Sequence, residues 1–261
     1  MEVISEVVEK GVVERRFDVK TEDDTVPAII WMPENVTGPV PVILIGHGGT
    51  QHKRSPNVLA LGRRAVRHLG YAAVAIDAPG HGERVTDEAA ANETRRHLER
   101  RIAAGPGKGS VLDMSPEQTA AFADRSARGV IEWQTTVDAL EAEEGLIGRI
   151  GYWGLSMGTA IGLPFVASEP RVRAAVLGLA GLSHRPAAAA FEQAARRLTI
   201  PVLFMFQWDD ELMSRQSGMD LFDALGSPDK AMHIHPGGHI ATPLYERDAY
   251  EAFFKRHLAP S

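Results

Sequence analysis

Gly154-Leu155-Ser156-Met157-Gly158 spells G-x-S-x-G. Small residues beside a serine permit a tight strand-to-helix turn, and such a turn lifts the hydroxyl clear of a sheet. The flanking segments suit that reading. Arg149 to Trp153 is a short, mostly apolar run with the character of a buried strand, and Thr159 to Ala167 reads as the start of a helix packed on the sheet. The backbone N–H of Met157 then falls at a helix N-terminus, where the dipole favours negative charge. An exposed hydroxyl next to such an N–H is half of the equipment for acyl transfer.

A serine hydroxyl is a weak nucleophile at neutral pH. It needs a base within hydrogen-bond reach, and the base needs an orienting acid. In an open parallel sheet the reacting groups gather at the carboxyl ends of the strands. His239 meets that condition, in Pro236-Gly237-Gly238-His239 directly past an apolar run at 231–235. His68, His97 and His257 fall in helical patterns, and His52 and His184 lie in loops without a supporting motif. His47 and His81 follow strand ends, where shaping a turn accounts for them. His233 and His235 sit at alternate strand positions, a spacing able to hold a metal, but no carboxylate lies close by in sequence. No metal site is therefore expected.

For the acid, the run at 200–206 leads into Gln207-Trp208-Asp209-Asp210-Glu211. Glu211 is expected to start the next loop and face away. The pattern leaves Asp209 and Asp210 open. A second donor to an oxyanion is expected from His47-Gly48-Gly49-Thr50, with Gly49 N–H the first choice and Thr50 N–H the second, since glycine lets the backbone approach a substrate oxygen.

The elements that must position these groups alternate along the chain. Strands are expected at 12–20, 26–32, 41–46, 71–77, 149–153, 172–179, 200–206 and 231–235. Helices are expected at 57–69, 127–144, 186–198, 214–225 and 245–257. Strand–helix alternation argues for an α/β fold with a mostly parallel central sheet and helices on both faces. The first two strands lack a helix between them and predict an antiparallel N-terminal edge. Residues 83–126 are too long for an ordinary connection and predict a small cap inserted in a single domain spanning 1–261. Within it a short helix is expected around 93–101 and a loop at 105–109.

Composition narrows the chemistry. The chain has 261 residues and no cysteine, which excludes disulfides, thiolate metal sites and a cysteine nucleophile. Its net charge of −6, with bases scattered among acids, gives no nucleic-acid footprint. Arg95, Arg96, Arg100 and Arg101 are interleaved with Glu93 and Glu99, the pattern of a solvated helix face. The N-terminal segment carries acids where a signal peptide needs bases, and no run is long enough to span a bilayer. A cytoplasmic protein with no membrane partner is expected.

With these residues in place, the chain resembles the α/β-hydrolase fold superfamily over nearly its whole length. The matching blocks are Gly46-His47-Gly48-Gly49, Asp77-Ala78-Pro79-Gly80-His81-Gly82, Gly154 to Gly158, and Gly238-His239 with an upstream aspartate. It is most similar to the dienelactone-hydrolase-like and acyl-peptidase-like esterases, through the strand from Pro201 ending in Asp209-Asp210 and through Leu225-Gly226-Ser227-Pro228-Asp229-Lys230. The resemblance implies that Asp210 is the acid. It also implies a serine carboxylesterase that needs no cofactor and acts on a small-molecule ester. The chain departs from dienelactone hydrolases in having serine where they use cysteine, so dienelactone itself is not the expected substrate. Gln207 and Trp208 also replace the glycine usual after that strand. Of the apolar residues near the site (Phe206, Met213, Phe191, Trp208 and Met157), only Trp208 and Met157 are expected to touch substrate. A peptidase, thioesterase or acyltransferase would use the same groups, and a ligand-binding protein on this fold would not need all three.

Overall fold

The computed structural model describes residues 1–106, 116–143, 147–182 and 186–259. The expected loop at 105–109 is thus described only in part, and His184 lies outside the described residues. Nine strands among the described residues form one sheet. They are β1 (Glu2–Glu9), β2 (Val12–Lys20), β3 (Thr25–Pro33), β4 (Val40–Gly46), β5 (Ala72–Ile76), β6 (Ile147–Leu155), β7 (Val172–Gly178), β8 (Val202–Gln207) and β9 (Lys230–His235). Their spatial order is β1-β2-β3-β5-β4-β6-β7-β8-β9. The pairs from β1 to β5 are antiparallel, and every pair from β5 to β9 is parallel.

The apolar run of β4 shows why the sheet is central. Val42 and Leu44 project into a core with Trp133, Val137 and Phe165. Ile43 and Ile45 project into a second core with Tyr250, Phe254 and Leu258. Alternate side chains point to opposite faces, so a strand buried on both faces must be apolar throughout. The first core lies under α3 (Pro116–Ala142), α4 (Met157–Ser168), α5 (Pro186–Arg197) and α6 (Arg215–Ala224). The second lies under α1 (Pro56–Arg64), the π-helical turn Ala65–Leu69 and α7 (Glu246–Leu258).

Three features differ from the expectation. β1 was not foreseen, because every residue of EVISEVVE is exposed and no alternation marks a buried face. It pairs with β2 alone and extends the antiparallel edge to a third strand before β5. α3 begins at Pro116 instead of 127, taking in the end of the expected insertion, and its first turns carry exposed residues that give no apolar period. The helix expected over 57–69 divides at Ala65, where the backbone widens to π geometry before Gly70 closes it at φ 70°. The other insertion helix, α2 (Glu88–Ala104), buries no residue. No helix among the described residues is long and apolar enough to cross a membrane.

Candidate active site

β6 ends at Leu155 and α4 begins at Met157, so Ser156 alone makes the turn. Its backbone sits at φ 58°, ψ −118°, a region that costs a non-glycine residue on the order of 1–3 kcal/mol. The surroundings hold it there. Ser156 N–H donates to Gly178 O at 2.9 Å, and Tyr152 O–H donates to Gly158 O at 2.7 Å. The buried Thr159 hydroxyl lies between the carbonyls of Gly154 and Gly178 and accepts the Gly178 N–H at 2.8 Å. A Cβ at Gly158 would collide with Gly46 O, and one at Gly154 would lie 2.6 Å from Gly158 O. The two glycines are what let α4 start this close to β4. Tyr152 and Thr159 brace the turn, and neither carried a sequence signal beyond its apolar neighbourhood.

Ser156 meets the histidine expected from sequence. His239 Nε2 is 2.9 Å from Ser156 Oγ, and His239 Nδ1 is 2.8 Å from Asp210 Oδ2. With Nδ1–H donating to the carboxylate, Nε2 is free to accept from the serine hydroxyl. Leu212 N–H and Met213 N–H both donate to Asp210 Oδ1, at 2.8 and 2.9 Å, and aim the other oxygen at the ring. Asp210 and His239 are both buried.

The neighbouring acids hold the histidine loop. Asp209 exchanges backbone and side-chain hydrogen bonds with Gly237 at 3.1 and 3.2 Å. Glu211 does not face away as expected. Its Oε2 accepts the His239 backbone N–H at 2.7 Å, because the chain turns back after Asp210 toward the loop that follows β9.

The glycine loop after β4 is braced from beneath. His47 Nδ1–H donates to Gly48 O at 2.9 Å, and His47 Nε2 accepts the Ala78 N–H at 3.0 Å. Burial pushes the His47 ring down to about 4, so the imidazole is neutral at physiological pH. His81 packs against it with ring centroids 5.3 Å apart. The buried Asp77 accepts the backbone N–H groups of Lys53 and Glu83 and pairs with the Lys53 ammonium, tying this loop to the one after β5. Glu83 is held down to about 2 by Arg16 and then Lys53. Gly49 and Thr50 stand in the braced loop, Thr50 at φ 61°. Across from them, Met157 N–H precedes the first helical hydrogen bond of α4, which Thr159 N–H makes to Ser156 O.

Trp208 leaves the end of β8 46% exposed, with the Arg215 guanidinium 4.2 Å above its ring. Phe206 belongs to the core, and Met213 and Phe191 pack against it. Arg96 and Arg100 pair with Glu93, and Arg95 with Asn92, on the exposed face of α2. His233 and His235 meet a carboxylate that lies distant in sequence. Glu246, distant by 11 residues from His235, is brought to both rings by the return of α7.

No protein-family model and no curated protein matches the chain. Solved structures do. A PEG-bound cold-adapted esterase from an Arctic intertidal metagenomic library is 33% identical, with a TM-score of 0.78 over 99% of this chain and 100% of that one. The chain belongs to the α/β-hydrolase-fold esterases. A zinc-bound cold-adapted esterase from such a library is 31% identical, at TM-score 0.73, with 99% and 100% of the chains covered. A dienelactone hydrolase from Anabaena variabilis is 17% identical, at TM-score 0.62 over 95% of this chain and 100% of that one, a likeness of fold. In this chain the serine turn stands at the carboxyl end of β6, which lies between β4 and β7 in the parallel part of the sheet.

Proposed function

We propose that the protein is a serine esterase acting on small to medium carboxylic esters. The observation that carries the reading is the continuous hydrogen-bonded line from Asp210 through His239 to Ser156, ending on a strained turn at a helix N-terminus. Ser156 Oγ attacks the ester carbonyl carbon while His239 Nε2 takes its proton. The oxyanion is held by Met157 N–H and Gly49 N–H, each contributing about 3 kcal/mol to lowering the barrier. The imidazolium, held by Asp210, then protonates the departing alkoxide, leaving an acyl-enzyme. A water attacks this acyl group, giving its proton to His239, and collapse releases the acid and the free serine. These steps need neither metal nor organic cofactor. Trp208 and Met157 border the substrate. The named activity of the 33%-identical relative supports ester cleavage.

The test is hydrolysis of p-nitrophenyl esters from acetate to decanoate by wild type and Ser156→Ala in parallel. Turnover lost in the variant supports the reading, and the preferred chain length sizes the acyl pocket. A folded wild type inert toward every chain length overturns it in favour of a peptidase or another acyl transferase.

A further inference from the structure

The cluster under the first turn of α7 lies outside the groups assigned to ester chemistry. His233 Nδ1 is 3.0 Å from Glu246 Oε1, and His235 Nε2 is 2.7 Å from the same oxygen. One ligand atom from each residue falls within 4.8 Å of the other two. The rings project from the same face of β9, because strand positions two apart share a face. Glu246 is 3% exposed while the His233 side chain is 38% exposed, so the cluster is rooted in the core and open on one side.

Two neighbours add weight. Gln207 lies opposite His235 in the register of β8 and β9, and both atoms of its buried amide lack a hydrogen-bond partner among the described residues. By strand alternation it shares the α7-facing side of β8 with Met205, which packs among Tyr250 and Phe254. The Tyr250 hydroxyl, one turn beyond Glu246, is also buried without a partner among the described residues. Orphaned polar atoms of this kind are rare in a core and mark a place built for something polar. Tyr245 O–H meets His235 Nδ1 at 3.2 Å. That contact suits either tautomer, since the phenol donates to a bare Nδ1 or accepts from Nδ1–H once Nε2 is a ligand.

We propose that His233 Nδ1, His235 Nε2 and the Glu246 carboxylate bind a divalent transition-metal ion, zinc by donor set. Two imidazoles and one carboxylate are a recurring zinc set that leaves a fourth position for water. Tetrahedral bonds of about 2.0–2.1 Å place ligand atoms about 3.3 Å apart, so the present 3.0 and 2.7 Å contacts open by about 0.3 and 0.6 Å to admit the ion. His235 ends β9 and Glu246 begins α7, so the ion bridges both ends of the loop 236–245 that carries His239. Its role is to clamp the base of that loop.

The experiment titrates zinc into the chelator-stripped full chain, in competition with a chromophoric chelator, and follows thermal unfolding in parallel. The expected result is one zinc per chain, a raised Tm, retention of binding in His239→Ala, and affinity weakened at least ~10-fold by His233→Asn and by Glu246→Gln. The partly exposed His233 makes its asparagine variant the safer of the two to fold. Cobalt added to the unmodified chain gives a second reading, an intense visible absorption from a tetrahedral site. The proposal is overturned by a folded wild type that binds no zinc at about 100 μM. It is overturned equally by binding that His239→Ala abolishes and His233→Asn leaves intact, or by a cobalt spectrum like that of the free aqueous ion.

Discussion

His47 gives this fold a defined sensitivity to acid. Its ring is buried, with Nε2 committed to accepting the Ala78 N–H and Nδ1–H to donating to Gly48 O. A second proton would go on Nε2 and face that N–H directly. The unfolded chain takes up this proton near pH 6.5, and the folded chain only near 4. Between those values the unfolded state binds more protons, so stability falls as pH falls, by about 1.4 kcal/mol per pH unit. The contribution is fully present above pH 6.5, and about 3 kcal/mol of it is lost by the time the folded ring protonates. His47→Gln keeps a donor and an acceptor but no titrating group. Urea unfolding of wild type and variant, followed by tryptophan fluorescence from pH 7.5 to 4.5, isolates the term by difference. Wild type is expected to lose up to about 3 kcal/mol relative to the variant across that window. Parallel curves for the two proteins would refute the account of His47.

Other substitutions test the remaining geometry. Ser156→Ala is expected to lower kcat for p-nitrophenyl acetate by roughly 10⁶ with unchanged circular dichroism. Asp210→Asn is expected to cost on the order of 10⁴ in kcat, and Asp209→Asn far less; the reverse order in steady-state assays would reassign the acid. Glu211→Ala removes the acceptor of the His239 backbone N–H, and kcat is expected to fall with little change in KM, as the base loses its position. Tyr152→Phe removes the hydroxyl hydrogen bond to the buried Gly158 carbonyl and is expected to lower unfolding stability by about 1 kcal/mol, read by denaturant titration.

Much of this architecture was legible in the chain. The strands at 41–46, 71–77 and 200–206 announce themselves because a strand covered on both faces must be apolar at every position, and those runs became β4, β5 and β8. G-x-S-x-G marked the serine turn because only glycine lets the helix backbone approach so closely. His239 stood out because it follows a strand end on glycines. β1 stayed hidden because an edge strand exposed along its length has no buried face to write a pattern. The early start of α3 was hidden for the same reason.

What sequence alone determined is local: which residues could turn, which runs had to be buried, and which groups stood at strand ends. What tertiary structure decided is direction and distance. Asp209, Asp210 and Glu211 are consecutive carboxylates with the same local chemistry, and only the packing of the β8 end against the loop after β9 sends Asp210 to the imidazole ring and Glu211 to the backbone of His239. Glu246 reads as a residue in the first turn of a helix, and only the return of α7 across the sheet sets it against His233 and His235. Such meetings are fixed by how elements pack across long stretches of chain, and no local pattern encodes them.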